Sequence, residues 1–113
     1  MPRLVYRTAA LRDLANIAAY IERKSGSRAT ADAFIDKLTA HCEHLATLPA
    51  LIGRPRPELR PYYRSATFGN YVIFLRYADE DGPRSHLYVI NIIQGARDIE
   101  AYFAGQPDDD ETS

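Results

Sequence analysis

The chain has 113 residues, of which 46% are hydrophobic, and a formal net charge of −1. This length and composition fit one domain with one core; they exclude a strongly basic nucleic-acid-binding domain, and no apolar run approaches the roughly 20 residues of a membrane span. The single Cys42 has no disulfide partner in the chain, and Met1–Tyr6 lacks the apolar run of a signal peptide, so we expect a reducing, cytoplasmic compartment.

The first predicted elements are a short strand and an amphipathic helix. Leu4–Tyr6 is a brief apolar run, and Thr8 is placed to be the N-cap of the helix that follows. Apolar residues then recur at spacings of three and four, which puts them on one helical face: Leu11, Leu14, Ile17, Ala18 and Ile21. We expect the helix to end near Ser25-Gly26, because glycine readily takes the left-handed conformation found at helix ends.

A second amphipathic helix is predicted from its N-cap Ser27 to Pro49, which ends it. Its apolar positions keep the same spacing: Ala31, Phe34, Ile35, Leu38, Cys42, Leu45 and Leu48. Two such helices joined by so short a turn form an antiparallel hairpin.

The second half of the chain is predicted to be mostly β-structure. Residues 51–61 hold three prolines and Gly53, so we expect a loop without regular structure. Three strands follow, at 63–68, 71–77 and 87–93. Gly69-Asn70 joins the first two as a two-residue turn of type II′, and the third is nearly continuous apolar, as in a strand covered on both faces. The predicted fold is therefore α+β with two layers, in which a short N-terminal strand and a helical hairpin pack on an antiparallel β-meander.

The C-terminal end is predicted to be a short helix followed by a tail. Residues 98–103 fit one or two helical turns, with Asp98 near the positive end of the helix dipole. Residues 106–113 include four acids and nothing to bury, so we expect one domain over 1–105 and a disordered acidic tail. Without those four acids the chain holds 14 basic and 11 acidic side chains, which makes the domain mildly basic.

Four segments in this order are similar to those of one known family. They are residues 10–21, with an acid before an Ile/Tyr-Ile series; 53–60, with Gly-Arg before Glu-Leu; 64–76, with an Arg before Tyr-Val-Ile; and 92–98, which ends Gln-Gly-Ala-Arg-Asp. Over roughly residues 4 to 103 the chain resembles the ParE toxins, or plasmid stabilisation proteins, of the ParE/RelE superfamily of type II toxin–antitoxin systems.

The resemblance implies a toxin that inhibits DNA gyrase by protein binding and is neutralised by a ParD-like ribbon-helix-helix antitoxin. The two would form a hetero-oligomer that contacts DNA only through the antitoxin, with no cofactor and no membrane. Two alternatives stay open. One is a RelE-like, ribosome-dependent mRNA endonuclease, and the other is a member that binds its antitoxin but harms nothing.

RNA cleavage through the 2′-hydroxyl requires a proton acceptor, a proton donor and cations that stabilise the phosphate. Arg97 matches the C-terminal Arg of RelE-like sites, but uncharged Tyr71 stands where the third strand of RelE carries an Arg. The loop arginines are too basic to act as general bases. The set is incomplete, so we predict no catalytic residues.

The candidate binding residues follow from the resemblance and from the charge of the loop. The target-binding candidates are Arg97, Asp98, Tyr102 and Phe103. The antitoxin-binding candidates include two aromatic residues, Tyr20 and Phe34; whichever of them lies off the core stripe of the hairpin would be an anchor for an antitoxin helix. They also include a basic patch that would speed the encounter with acidic residues of the antitoxin or target: Arg54, Arg56, Arg60 and Arg64. The plainer alternatives are a strand-end Arg97 paired with a carboxylate and a solvated arginine loop.

A metal site is not expected at His41, Cys42 and His44. The two histidines lie on one side of the predicted helix, whereas Cys42 belongs to its apolar stripe. Zinc usually needs four convergent ligands, so we predict no metal.

Overall fold

The computed structural model describes residues 2–49, 51–79, 82, 85–95 and 99–105. The elements, in chain order, are β1 (Arg3–Tyr6), α1 (Thr8–Ser25), α2 (Arg28–Thr47), β2 (Arg54–Pro55), β3 (Arg64–Phe68), β4 (Tyr71–Ala78), β5 (His86–Gln94) and α3 (Ile99–Ala104). The predicted α+β fold, with its N-terminal strand, helical hairpin and β-meander, is confirmed. The predicted acidic tail, residues 106–113, lies outside the described residues, as do Arg97 and Asp98.

The sheet has five strands in the order β1-β5-β4-β3-β2. The predicted meander is its antiparallel part, and β1 joins β5 in parallel, with Leu4 opposite Leu87. Gly69, at φ 57°, opens the two-residue turn between the paired Phe68 and Tyr71. The first and last strands of the chain therefore lie side by side at one edge of the sheet.

The expectation of a loop without regular structure over 51–61 is wrong at β2. Arg54 pairs with Ser65 and Pro55 with Arg64, which makes β2 an edge strand. A proline is tolerated at an edge, where its missing N–H removes no bond to a further strand. Gly53, at φ 83°, precedes this strand, and a Cβ there would lie 2.7 Å from the Ser65 carbonyl oxygen. Glycine is therefore required for this close approach.

The two helices begin differently. Ser27 caps α2 as predicted, because its Oγ accepts a hydrogen bond from the Thr30 N–H at 3.1 Å. The prediction that Thr8 caps α1 is wrong, since Arg7 holds the cap position and supplies no side-chain hydrogen bond. The Arg7 N–H instead donates to the Val89 carbonyl at 3.0 Å, so the chain stays in the sheet up to Arg7. At the other end of α1, Gly26 is left-handed, as predicted, at φ 70°.

The buried face of α1 keeps Leu14, Ile17 and Ile21 of the predicted stripe, but Ala10 takes the place of Leu11. Ala10 is fully buried and Leu11 is 55% exposed. Ala10, Leu14, Ile17 and Ile21 pack in the core with the sheet, and their spacings of four, three and four residues define one helical face. Leu11 lies beside this face, because the small Ala10 is the side chain that contacts the core.

Each face of the sheet has its own core. On one face the helical hairpin covers Ile73, Leu75, Leu87, Val89 and Ile92. On the other face, which we call the second face, the side chains of Phe74, Ala78, Tyr88, Ile90 and Ile93 cluster with Leu59, Tyr63 and Phe103. Residues 86–93 of β5 are buried, which confirms the prediction of a strand covered on both sides.

A β-bulge in β5 breaks the alternation of its side chains. Phe74 pairs with Asn91 and Leu75 with Val89, so Ile90 is the extra residue. A bulge re-aims the side chains beside it. Here it accompanies a buried Asn91, whose amide forms hydrogen bonds with two other elements.

The Tyr6 hydroxyl offers a test of the core between the hairpin and the sheet. It is buried and has no partner at hydrogen-bond geometry within the described residues, and its polar neighbour is the Cys42 thiol, at most a weak partner. Burial, followed by this thiol, raises the pKa of Tyr6. Because an unpaired buried hydroxyl is costly, Tyr6→Phe should leave stability at pH 7 unchanged or higher. A raised folded-state pKa stabilises the fold below the unfolded pKa of about 10 and loses that contribution as pH rises above it. The variant should therefore lose less stability than the wild type above about pH 10.

Urea unfolding of the wild type and of Tyr6→Phe, at pH 7 and above about pH 10, measures the difference in their free energies of unfolding. A Tyr6→Phe protein that is less stable by more than about 1 kcal/mol at pH 7 would contradict the assignment, since it would show that a hydrogen bond had been removed.

Candidate partner-binding surfaces

A groove lies between α1 and one end of the sheet. Its volume is about 200 Å³, and it is lined by Asp13, Asn16, Ile17, Tyr20, Tyr71, Ile92, Ile93 and Gln94. Tyr20 of α1 and Tyr71 of β4 both lie on this lining, and burial, followed by the interaction with Tyr20, raises the pKa of Tyr71. The groove therefore combines aromatic rings with polar side chains from two elements.

The two predicted anchors of the hairpin differ in burial. Tyr20 is 45% exposed at the groove and so lies off the core stripe. Phe34 is half-buried, with ring centroids 5.8 Å from Phe68 and 5.7 Å from Tyr71. An antitoxin anchor was expected to lie off the core stripe of the hairpin. Tyr20 does so, whereas Phe34 packs between α2 and the sheet.

Two of the four candidate arginines, Arg56 and Arg64, form hydrogen bonds with the connection between α2 and β3. The Arg64 guanidinium donates to the carbonyls of Ile52 at 2.7 Å and Gly53 at 2.8 Å. The Arg56 Nε–H donates to Glu58 at 2.7 Å, and this bond is the main cause that lowers the pKa of Glu58. Both arginines therefore serve to shape the loop.

The other two arginines lie in different settings. Arg60 donates to the Phe103 carbonyl at 2.6 Å, which ties the loop to α3. Arg54 is exposed on the edge strand β2. Of the predicted basic patch, Arg54 is the side chain that the structure presents most openly to a partner.

The C-terminal helix α3 packs on the second face of the sheet. Phe103 is 3% exposed, with its ring 4.8 Å from Phe74 and 5.7 Å from Tyr63. Tyr102 is half-buried beside it. Of the four target-binding candidates, the structure thus brings Tyr102 and Phe103 together and buries the second as the attachment of the helix.

A polar network that the sequence did not predict connects α1, β5 and α3. Asp13 Oδ2 accepts hydrogen bonds from the Ile92 N–H at 2.9 Å and from the Asn91 side-chain amide at 3.1 Å. The same amide donates to the Tyr102 hydroxyl at 3.2 Å. The available signals were the acid in the 10–21 segment and one asparagine within an apolar strand. The network ends at the groove on one side, through Asp13, and at α3 on the other.

The described residues can be compared with the requirements of a nuclease site and of a metal site. Tyr71, at the strand position considered for a catalytic cation, packs its ring against Phe34. Among the residues that the structure describes, no three His, Cys, Asp or Glu side chains are grouped as metal ligands. Cys42 is buried, and burial raises the pKa of its thiol, which disfavours the nucleophilic thiolate. Within the same ranges no helix has the length and hydropathy required to span a bilayer.

The fold is shared with a solved structure. The solved structure described as "Chromosomal ParDE TA system from P. aeruginosa" matches with a TM-score of 0.70 at 18% sequence identity, covering 83% of this chain and 96% of that chain. At this level of identity the match shows the fold alone, an α+β fold shared with that structure.

The sequence then gives the family. It matches the family described as "ParE toxin of type II toxin-antitoxin system, parDE" over residues 4–99, and the chain belongs to this family. A comparison with curated protein sequences gives no match. The family match ends at Ile99, where α3 begins, so nearly all of this helix lies beyond it.

Proposed function

We propose that this ParE-family toxin inhibits DNA gyrase by protein binding and is held inactive by a ParD-like ribbon-helix-helix antitoxin. The complex would be a hetero-oligomer in the cytoplasm, with DNA bound only by the antitoxin. One observation carries the choice of inhibitor over nuclease. Tyr71 packs under α2, while Arg56, Arg60 and Arg64 are engaged with the loop and α3.

The antitoxin is assigned to the groove beside α1. A partly exposed tyrosine next to a cavity with polar and apolar lining suits an amphipathic segment that inserts an apolar side chain. Tyr20 is the proposed anchor at this groove, and Arg54 the proposed contact for acids of the same partner.

The target is assigned to the second face, around α3. Tyr102 is half-buried on this short helix, which is attached to the sheet by Phe103 and to the loop by Arg60. A helix held at both its side chain and its backbone is preorganised, which lowers the entropy lost on binding. Arg97 and Asp98, which precede α3 in the sequence, stay proposed contacts of the same surface.

The test combines a purified system with expression in a bacterium. The purified protein is expected to inhibit supercoiling by gyrase, and induced expression is expected to stop growth with chromosome breakage and intact transcripts. Co-expression of a cognate antitoxin should restore growth. Cleaved transcripts with unbroken DNA would support the RelE-like alternative, and normal growth with soluble toxin would support the harmless one.

Tyr20→Ala separates the two surfaces within this test. Because Tyr20 is partly exposed and outside α3, the variant should keep its inhibition of gyrase and require more antitoxin for rescue. Glu22→Ala, exposed on α1 and absent from the groove lining, is a matched control for general damage to α1 and should be rescued like the wild type. Equal rescue of wild type and Tyr20→Ala would place the antitoxin elsewhere.

A further inference from the structure

The turn at residues 60–63 places a tyrosine where glycine is preferred. The Tyr63 N–H donates to the Arg60 carbonyl at 3.3 Å, Pro61 is the second residue, and Tyr62 has φ 69°. Proline at the second position with positive φ at the third defines a type II turn, whose third residue is usually Gly or Asn. Among the described residues, Tyr62 is the one non-glycine residue with positive φ.

The Tyr62 ring does not offset this strain by packing. It is 82% exposed, the largest exposure among the exposed large hydrophobic side chains of the described residues. A side chain in the left-handed region costs stability, because its Cβ approaches the following carbonyl oxygen. The fold thus accepts a backbone cost at this position and gains little contact from the ring.

The turn is fixed on both sides of Tyr62. Tyr63 is buried with its ring against Phe103, and its carbonyl accepts a hydrogen bond from the Arg56 N–H at 2.8 Å. Arg60 donates to the Phe103 carbonyl at 2.6 Å. Both neighbours of the Pro61-Tyr62 pair therefore hold it against α3, so the backbone that carries the Tyr62 side chain is fixed.

We propose that Tyr62 is an aromatic anchor that inserts into an apolar pocket on the target protein, as part of one surface with α3. Strained backbone positions persist at functional sites when their surroundings fix them. Tyrosine is enriched among the few residues that dominate binding energy. Its rigid ring adds contact area with little loss of conformational entropy. The inference rests on the proposed function, since it gives the target surface its central contact.

The position of the turn selects the target over the antitoxin as the partner. The contacts that fix the turn go to Phe103 of α3. Tyr20, the proposed antitoxin anchor, lies on the groove beside α1, which is lined by neither Tyr62 nor α3. The two tyrosines therefore define separate surfaces.

Tyr62→Gly tests the proposal, because its expected effects on stability and on function are opposite. Glycine takes positive φ without strain, so the variant should be as stable as the wild type or more stable. Its inhibition of gyrase should fall by at least about tenfold, as for loss of a binding hot spot. Tyr62→Asn should behave similarly, because asparagine tolerates the same conformation, whereas Tyr62→Phe should retain most of the inhibition.

Leu51→Ala is the matched control, since Leu51 is 51% exposed in the same connection between α2 and β3, and it should leave inhibition unchanged. Full inhibition by Tyr62→Gly would overturn the proposal, and so would loss of stability in this variant. Loss of antitoxin binding with inhibition retained would also overturn it. If the wild type does not inhibit gyrase, the proposed target is wrong. Growth arrest on expression then becomes the measurement for Tyr62. Continued arrest by Tyr62→Gly would overturn the proposal that Tyr62 is an anchor.

Discussion

Phe103→Ala is expected to release α3 from the sheet and to abolish inhibition of the target. Phe103 is 3% exposed and contacts Phe74, Tyr63 and Tyr102 through ring pairs. Truncation of a packed phenylalanine costs about 3–5 kcal/mol. Because α3 has six residues at one end of the described chain, we expect much of this cost to appear as local opening of the helix.

Amide hydrogen exchange measures this opening directly. Protection over α3 should fall in Phe103→Ala, while protection in β4 and β5 should change less. Phe103→Leu is the control, since it keeps an apolar side chain and should retain most of the protection. Unchanged protection and full inhibition in the alanine variant would show that Phe103 does not attach the helix.

Asp13→Ala is expected to destabilise the whole fold by about 1–3 kcal/mol, because it leaves buried donors without an acceptor. The Ile92 N–H and the Asn91 side-chain amide both donate to Asp13 Oδ2. Asn91 is 5% exposed, so water cannot easily replace this carboxylate. Urea unfolding followed by circular dichroism gives the difference in free energy.

Asp13→Asn provides the matched control for Asp13→Ala. The asparagine side chain keeps one oxygen that can accept from the Ile92 N–H, and its loss of stability should be smaller. Equal stability of Asp13→Ala and wild type would mean that the carboxylate does not support β5. An equal loss in both variants would assign the effect to the charge of Asp13.

The sequence predicted those elements of the fold that depend on neighbouring residues, and missed those that depend on contacts with distant parts of the chain. Helical periodicity and the residues Ser27 and Gly26 predicted the hairpin, and Gly69 predicted the turn between β3 and β4. The cap of α1 was missed, because Arg7 is held by a bond to the distant Val89. The strand β2 was missed because a proline-rich segment pairs only once β3 is present.

The candidate site was less predictable, since its contacts join residues far apart in the chain. Asp13 and Asn91 are 78 positions apart, and neither has a local pattern that indicates the other. Charge alone predicted a basic patch, but whether Arg60 faces a partner or a carbonyl of α3 depends on where α3 packs. The positive φ of Tyr62 was also hidden, because tyrosine has no preference for that region.

The parallel pairing of β1 with β5 has a consequence for synthesis of the protein. Arg3 pairs with His86, so β1 emerges from the ribosome long before the strand that it joins. Such distant pairing is slow compared with formation of the local helical hairpin. A nascent chain that stops before β5 lacks the interior strand whose two faces contact the helical hairpin and α3. The groove beside α1 and the surface around α3 therefore form only after β5 has been synthesised.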